Sequence, residues 1–587
     1  MVKLKIDNIE VEVDAGTSIL DAARKANVDI PTLCKHPDVD PSAGCGICIV
    51  KVGGRIMRSC CTPVAEGMEV ITHDAELAEI RKTVLELILS NHPNSCLTCS
   101  RSGSCELQEM SAQMGIRSEE IRKILSAEPI DDSTKAIVLE PAKCIVCGRC
   151  VDICQNTQNV WALSYLNRGM NTKITGANDT KLGDSPCIKC GQCAAHCPTG
   201  AITDYDTTNQ VWDILKDKEN ITVVQIAPAV RVALGEEFGF DYGANLTGKI
   251  YAALRKLGFS KVFDTNFGAD LTIIEEATEF VNRFKTGNEL PMFTSCCPAW
   301  VDYVEKYYPE MLPHLSSCKS PHEMVGALAK TYYAQKLGVD AAKVKVVSVM
   351  PCTAKKWEIA RDETMSSSGY QDVDVVITTR ELAKMIKQQG INFKNLPEEE
   401  ADNPLGEYSG AATIFGVSGG VMTAALRTAY FYITGDELGE LNFDAIVGLD
   451  KVKAAEVIIN GIKIRIAVVN GIGNAEAVLN ELKSAMEKGE EIPYHFIEVM
   501  ACPGGCIAGG GQPRVMASGL PKPWGINDEI RRLRSQGLNC EDKQAKNRLS
   551  HKNESIKKLY DDFLGEAGGD KAHHLLHTKY QKRELYK

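Results

Sequence analysis

The residues that could do chemistry in this chain are its cysteines. Cys502 and Cys506 stand in Cys502-Pro-Gly-Gly-Cys506-Ile-Ala-Gly-Gly-Gly511, where glycines let backbone approach an inorganic cofactor because no Cβ intervenes. Cys296 and Cys297 follow Thr294-Ser295, and Cys352 sits in Met350-Pro-Cys-Thr-Ala-Lys-Lys356. Thiolates are soft ligands that suit zinc and iron–sulfur clusters. The three loops are expected to converge on one iron centre, with the N-terminal third of the chain wiring it.

The chain carries 23 cysteines, mostly in tight C-x-x-C clusters separated by cysteine-poor stretches. That distribution suits several ligands on one cluster and not the disulfide framework of a small secreted domain. Cys34, Cys45, Cys48 and Cys60 are spaced x10, x2 and x11, compatible with a [2Fe–2S] centre although the first gap exceeds the plant-type x4. Cys61 adjoins Cys60, and only one of the two can be the fourth ligand. His92, Cys96, Cys99 and Cys105 could hold tetrahedral zinc or a [4Fe–4S] cluster, and their chemistry alone leaves both open.

The next signal is more specific. Cys144, Cys147, Cys150 and Cys154 follow C-x2-C-x2-C-x3-C, and Cys187, Cys190, Cys193 and Cys197 repeat it, closed by Pro198. In such paired runs the fourth cysteine serves the other cluster. Two [4Fe–4S] clusters are therefore expected, one on Cys144, Cys147, Cys150 and Cys197, the other on Cys187, Cys190, Cys193 and Cys154. Gln155 stands where the first run would have proline, which leaves its ligands untouched.

The elements that must position these groups are legible in part. Residues 2–13 alternate around Asp7-Asn8 and predict a β-hairpin. Thr17-Ser18 with Asp21 predicts a capped helix start, and helices are expected near Glu76–Leu89 and Ser118–Leu125. Arg168–Pro186, rich in Gly, Asn and Thr, predicts a loop. Beyond it the pattern changes. Short apolar runs at Ile221–Pro228, Val344–Val349, Val373–Thr378 and Ile464–Val469 alternate with helical segments such as Thr247–Leu257 and Ser320–Leu337. That is α/β organisation with parallel sheet, and Cys352 and Cys502 follow strands, where such sheets place ligands. Glu276, Glu279 and Arg283 are spaced to share one helix face.

Other classes are disfavoured. A net charge of -11 argues against nucleic-acid or anionic-membrane partners, and no apolar run could span a membrane. Met1-Val-Lys-Leu-Lys-Ile-Asp7 has neither a signal-peptide core nor a twin-arginine pair, so a cytoplasmic protein is expected. No G-x-G-x-x-G follows a strand, Gly471-Ile-Gly473 reading as a turn, and no P-loop is present. A pyridine nucleotide would need another chain.

Thr294-Ser-Cys-Cys-Pro298, Met350-Pro-Cys-Thr-Ala-Lys-Lys356 and Glu498-x-Met-x-Cys-Pro-Gly-Gly-Cys506 resemble the three signature segments of [FeFe]-hydrogenases. The N-terminal clusters resemble the β-grasp ferredoxin domain, His-ligated module and two-cluster domain found in that family and in respiratory-complex relatives. The resemblance implies a multidomain α+β and α/β protein: a β-grasp [2Fe–2S] domain over 1–77, a His/Cys₃ [4Fe–4S] module over 78–117, a two-[4Fe–4S] ferredoxin-like domain over 118–208, and a catalytic domain over 209–587. It selects Cys60 over Cys61 and a [4Fe–4S] cluster over zinc at His92. It places a cubane on Cys297, Cys352, Cys502 and Cys506, the last bridging to a diiron subcluster carrying CO, cyanide and azadithiolate. The whole is the H-cluster.

By the same resemblance Lys355 donates to a cyanide, and Ala227, Pro228, Met350, Phe415 and Met500 wall the site. Cys296, Glu276, Ser316, Glu279 and Arg283 form the proton relay. The implied function is reversible interconversion of H₂ with protons and electrons. The expected partners are ferredoxin, or a flavin- and NAD(P)-binding iron–sulfur subunit with a small iron–sulfur subunit in an electron-bifurcating complex, together with maturation proteins for the diiron unit. The alternatives are a stand-alone ferredoxin-dependent enzyme, and a non-catalytic H₂ sensor or cluster-assembly homologue. Cys296, Glu276 and the intact third loop disfavour the assembly reading. Only Cys540 follows Cys506, so no further C-terminal [2Fe–2S] domain is expected. The tail His573-His-Leu-Leu-His577 is expected to be a packed segment, with metal binding the lesser reading.

Overall fold

The computed structural model describes residues 1–116, 128–439, 447–515 and 526–587. The helix expected at Ser118–Leu125 lies outside the described residues. The chain divides into two compact units. The first comprises Met1–Ser185, Gln192–Asp204 and Arg514–Asn527, and the second Pro186–Gly191, Tyr205–Pro513 and Asp528–Lys587.

The first unit opens with the expected hairpin, β1 (Val2–Ile6) and β2 (Ile9–Val13). Asp7 and Asn8 take φ of 48° and 67°, the left-handed pair that matches strand twist in a two-residue turn. Ser18 caps the helix Ile19–Lys25 by accepting from the Asp21 amide at 3.1 Å. With β3 (Ile49–Val52), β4 (Arg55–Arg58) and β5 (Glu69–Ile71) the sheet runs β2-β1-β5-β3-β4, with β1 and β5 parallel. Leu4, Ile6, Val13, Leu20, Val50 and Val70 are buried beneath it. Asp74 then caps the helix Ala75–Ser90, close to the expected bounds.

Further along, β6 (Ile137–Leu139), β7 (Ser164–Leu166), β8 (Lys173–Thr175) and β9 (Ile202–Asp204) form two short antiparallel pairs, β6 with β9 and β7 with β8. Arg168–Pro186 is thus not entirely loop. A three-residue strand such as β8 is too short to show alternation.

The second unit holds two four-stranded sheets. In the first, β10 (Ile221–Ile226), β11 (Lys261–Asp264), β13 (Val344–Met350) and β14 (Val375–Thr378) are all parallel, in the order β11-β10-β13-β14. Their near-continuous apolar sequences reflect burial on both faces. In the second, β12 (Met292–Phe293), β15 (Val452–Ile459), β16 (Ile462–Asn470) and β17 (Phe496–Met500) run β12-β17-β16-β15, with only β15 antiparallel. The β15–β16 hairpin turns at Asn460-Gly461, both at positive φ. Helices Thr247–Leu257 and Pro321–Leu328, the latter continued through Ala329–Tyr333 to Leu337, match the expected segments. Among the described residues no helix is long and apolar enough to cross a membrane.

Candidate active site and accessory metal centres

Four strand ends meet at one cavity of the second unit. Pro228 follows β10 and Cys352 follows β13 in one sheet, while Cys297 follows β12 and Cys502 follows β17 in the other. Carboxyl ends of parallel strands are where open sheets leave room for ligands, and here two sheets contribute. Cys297, Cys352, Cys502 and Cys506 all line the cavity, together with Cys296 and Lys355. Ala227, Pro228, Met350, Phe415 and Met500 supply apolar wall.

The third loop reaches the cavity because it lacks Cβ atoms at two contacts. Gly505 has φ of 92° and an added Cβ would lie 2.7 Å from the Ser418 amide nitrogen; at Gly509 it would lie 2.3 Å from the Pro351 carbonyl oxygen. Glu498 anchors the same loop from below. Fully buried, it accepts from the Gly419 and Met422 amides at 2.7 Å each, at the start of the helix Gly420–Thr434, and burial pushes its carboxyl up to about 7.

The donor set fits an iron–sulfur group larger than one cubane. The space between atoms at this site, part of it open to solvent, is about 740 Å³, against about 320 and 300 Å³ measured the same way at the two smaller cysteine sites of the first unit. Burial pushes the Cys352 thiol up to about 12 and raises Cys297, so the protein alone keeps them protonated. Metal binding would displace those protons, since the thiolate is the ligand.

Lys355 is held at the rim. Its Nζ lies 3.1 Å from the Cys296 carbonyl oxygen and 2.8 Å from Glu358 Oε2, which also lies 2.8 Å from His322 Nε2. Burial opposes ionisation of both partners, yet each holds the other charged: Lys355 is raised and Glu358 lowered. Burial, with Lys355 nearby, pulls His322 down to about 4, so it is neutral. Glu358 sits three residues after Lys355, a helical spacing that could have revealed it. Glu358→Leu strands a buried ammonium and is expected to cost about 3–5 kcal/mol, measured as a loss of unfolding free energy, whereas Glu358→Gln retains a hydrogen-bond acceptor and costs less.

The relay residues lie together. Glu276, Glu279 and Arg283 share the helix Thr265–Thr286. Ser316 Oγ donates to Glu279 Oε2 at 3.0 Å, and Arg283 Nη2 donates to Glu279 Oε1 at 2.6 Å. Glu276 lies near enough to Ser316 for that hydroxyl to temper its shift, and near enough to Cys296 for its charge to raise that thiol further after burial. Glu276 is buried with Oε2 unpartnered, and desolvation, then Glu279, push its carboxyl up to about 8. It therefore carries a proton at neutral pH.

That shift has a stability consequence. The unfolded chain ionises this carboxyl near 4.5 and the folded chain near 8, so folding stability falls as pH rises between them. Glu276→Gln, which does not titrate, is expected to flatten that decline in denaturant titrations of the cofactor-free chain, gaining a few kcal/mol at alkaline pH. An unchanged slope would contradict the protonated state.

In the first unit the Cys34 thiol lies against those of Cys45 and Cys60, and the Cys48 thiol against that of Cys60. Cys61 is exposed and points to the Arg58 carbonyl oxygen instead. His92, Cys96, Cys99 and Cys105 line one pocket, and Cys144, Cys147, Cys150 and Cys197 line another. The latter is the crossed set that the paired spacing predicts. Of the remaining ferredoxin-type cysteines, Cys154 and Cys193 belong to the first unit and Cys187 and Cys190 to the second.

Thiols gathered at strand ends around an apolar cavity, with a titratable chain beside them and clustered cysteines upstream, define an iron–sulfur redox enzyme. The chain belongs to the iron-only hydrogenase family. Residues 220–510 match the C-terminal domain of the iron only hydrogenase large subunit, and 528–583 match the iron hydrogenase small subunit. Residues 1–75 match a 2Fe-2S iron-sulfur cluster binding domain, 81–120 the NADH-ubiquinone oxidoreductase-G iron-sulfur binding region, and 143–201 a 4Fe-4S dicluster domain.

The chain is 45% identical to the NADP-reducing hydrogenase subunit HndD of Solidesulfovibrio fructosivorans, over 100% of this chain and 99% of that one. It is 41% identical to iron hydrogenase 1 of Clostridium pasteurianum, over 98% and 99%. A variant of the [FeFe]-hydrogenase HydA1 from Chlamydomonas reinhardtii superposes with a TM-score of 0.56 at 40% identity, covering 64% of this chain and 99% of that structure. The small-subunit match begins well before the stretch from His573 that the sequence pattern marks as a packed tail. Its helices Asp528–Gln544, Glu554–Leu559 and Asp570–Leu576 are part of the second unit.

Proposed function

We propose that this chain is the catalytic subunit of a cytoplasmic, NADP-linked hydrogenase complex, with electrons passing through its own N-terminal clusters. The carrying observation is the convergence of Cys297, Cys352, Cys502 and Cys506 on an apolar cavity more than twice the volume of the smaller cysteine sites. When bound there, the H-cluster supplies the two-electron chemistry that interconverts H₂ with protons. The four cysteines would hold it, Cys506 serving its diiron part as well as its cubane, and Lys355 would offer its ammonium as a charge-assisted donor to a cyanide. Met350, Phe415 and Met500, with Ala227 and Pro228, exclude water.

Cys296 gives and takes the proton at the cavity, and Glu276, Ser316 and Glu279 connect it outward, with Arg283 fixing Glu279. Four accessory clusters serve the cavity: one [2Fe–2S] on Cys34, Cys45, Cys48 and Cys60, and three [4Fe–4S], one on His92, Cys96, Cys99 and Cys105 and two on the paired ferredoxin-type runs. The domain limits at 77, 117 and 208 are those that the family resemblance implies, each falling between two ligand groups.

The complex is supported by the likeness to an NADP-reducing hydrogenase subunit over the full chain. Because no dinucleotide or P-loop motif is present in this sequence, a flavin- and NAD(P)-binding partner carries the nucleotide. Purification from its native host tests this. Co-purifying flavin with NADPH-dependent H₂ evolution is expected, and a flavin-free chain that evolves H₂ only from reduced ferredoxin would sink the complex while leaving the hydrogenase reading intact.

A further inference from the structure

Glu279 has two neighbours that lead away from the relay, and they differ in chemistry. Arg283 keeps its proton in proteins, so it can orient Glu279 but not hand protons on. The second neighbour is Ser317, whose Oγ donates to Glu279 Oε1 at 3.1 Å and lies 2.8 Å from His577 Nδ1. The other nitrogen of His577, Nε2, stands 3.1 Å from Glu275 Oε2. His577 retains 6% exposure and its ring stacks on that of His573, centroids 4.7 Å apart and planes at 10°; His573 is exposed.

Backbone bonds fix this arrangement. The Thr578 amide donates to the Ser317 carbonyl oxygen at 2.7 Å, and the Lys319 amide to the Leu576 carbonyl oxygen at 2.8 Å. The groups facing His577 are Glu275 and Glu279 on the helix Thr265–Thr286, Cys318 beside Ser317, and His573 on its own helix. Tyr560 donates to Glu275 from behind. Imidazole suits such a position, since it can take a proton at one nitrogen and release one at the other.

We propose that His577, through Ser317, exchanges protons between Glu279 and solvent, making the C-terminal segment part of the proton route. For each proton delivered inward, Ser317 Oγ gives its hydrogen to Glu279 and receives one from His577 Nδ1, and His577 regains one from solvent. Uptake reverses this, with no redox change and no net change at Ser317. The inference rests on the relay reading of Glu276, Ser316 and Glu279.

The test uses the cofactor-loaded enzyme evolving H₂ from reduced viologen. His577→Gln and His577→Ala should lower turnover by about 10–100-fold and alter the pH profile, in keeping with loss of one proton-transfer group. Imidazole added to His577→Ala should restore part of it. Ser317→Ala should show the same loss with the tail residue in place. In infrared spectra after a pH jump, carboxyl bands of the relay should equilibrate more slowly in His577→Gln. Unchanged turnover and pH profile in His577→Gln would overturn the inference, as would a loss that imidazole does not relieve and that leaves the pH profile unaltered. If Glu279→Gln also retains full turnover, the relay reading itself fails; if only the His577 variants do, the relay stands without this exit.

Discussion

Cys506→Ala is expected to abolish H₂ turnover while the accessory clusters still assemble. Cys506 lines the catalytic cavity of the second unit with Cys297, Cys352 and Cys502. The gathered cysteines of the first unit line sites of their own, including a pocket with Cys144, Cys147, Cys150 and Cys197. In the proposed assignment Cys506 would hold the diiron unit as well as the cubane, so alanine would remove the attachment on which the chemistry depends. Electron paramagnetic resonance of the reduced variant should keep the accessory signals, and infrared spectra should lose the CO and cyanide bands. Loss of the accessory signals together with turnover would show that the two sets of sites do not assemble independently.

The second large effect belongs to Cys296. It lines the cavity beside Cys297, and burial raises its thiol well above the ordinary range, with Glu276 adding to the shift. A thiol held protonated next to a carboxyl that is itself protonated at neutral pH is a donor backed by a second donor. Cys296→Ser keeps the shape of the side chain but replaces the thiol with a far weaker acid. Turnover is expected to fall by about 10²–10⁴-fold, the usual worth of one positioned acid–base group, with iron content unchanged. Cys296→Asp, which restores a titratable proton, should recover more activity than serine. Serine at the wild-type rate would remove Cys296 from the relay.

Much of this site could be read from the chain because its chemistry is concentrated in loops with distinctive composition. Cys352 and Cys502 stand directly after apolar runs, and those runs are β13 and β17, so the strand-end rule locates both thiols. The Glu276, Glu279 and Arg283 face follows from helical spacing alone. What the sequence pattern does not carry is pairing between distant segments. Nothing local says that β10 and β17 belong to different sheets, or that their ends meet at one cavity.

Polar partners across long separations are hidden for the same reason. Glu498 reaches the helix at Gly420, and His577 reaches Ser317, over 79 and 260 residues respectively to the atoms they touch. Glu358 is a different case: its spacing from Lys355 is visible, but only burial turns that pair from an ordinary surface contact into a fixed ammonium at the cavity rim. Likewise the choice between Cys60 and Cys61 depends on which side chain turns inward, and only Cys60 is buried.

Four thiols at the strand ends are proposed to hold an H-cluster with which this chain makes H₂. The most direct measurement is H₂ evolution from reduced viologen by the purified, cofactor-loaded chain, run beside Cys506→Ala prepared in the same way. Sustained H₂ with CO and cyanide infrared bands is expected from the wild-type chain, and neither from the variant. A wild-type chain that carries those bands yet makes no H₂, or a Cys506→Ala chain that makes it at the wild-type rate, would contradict that proposal.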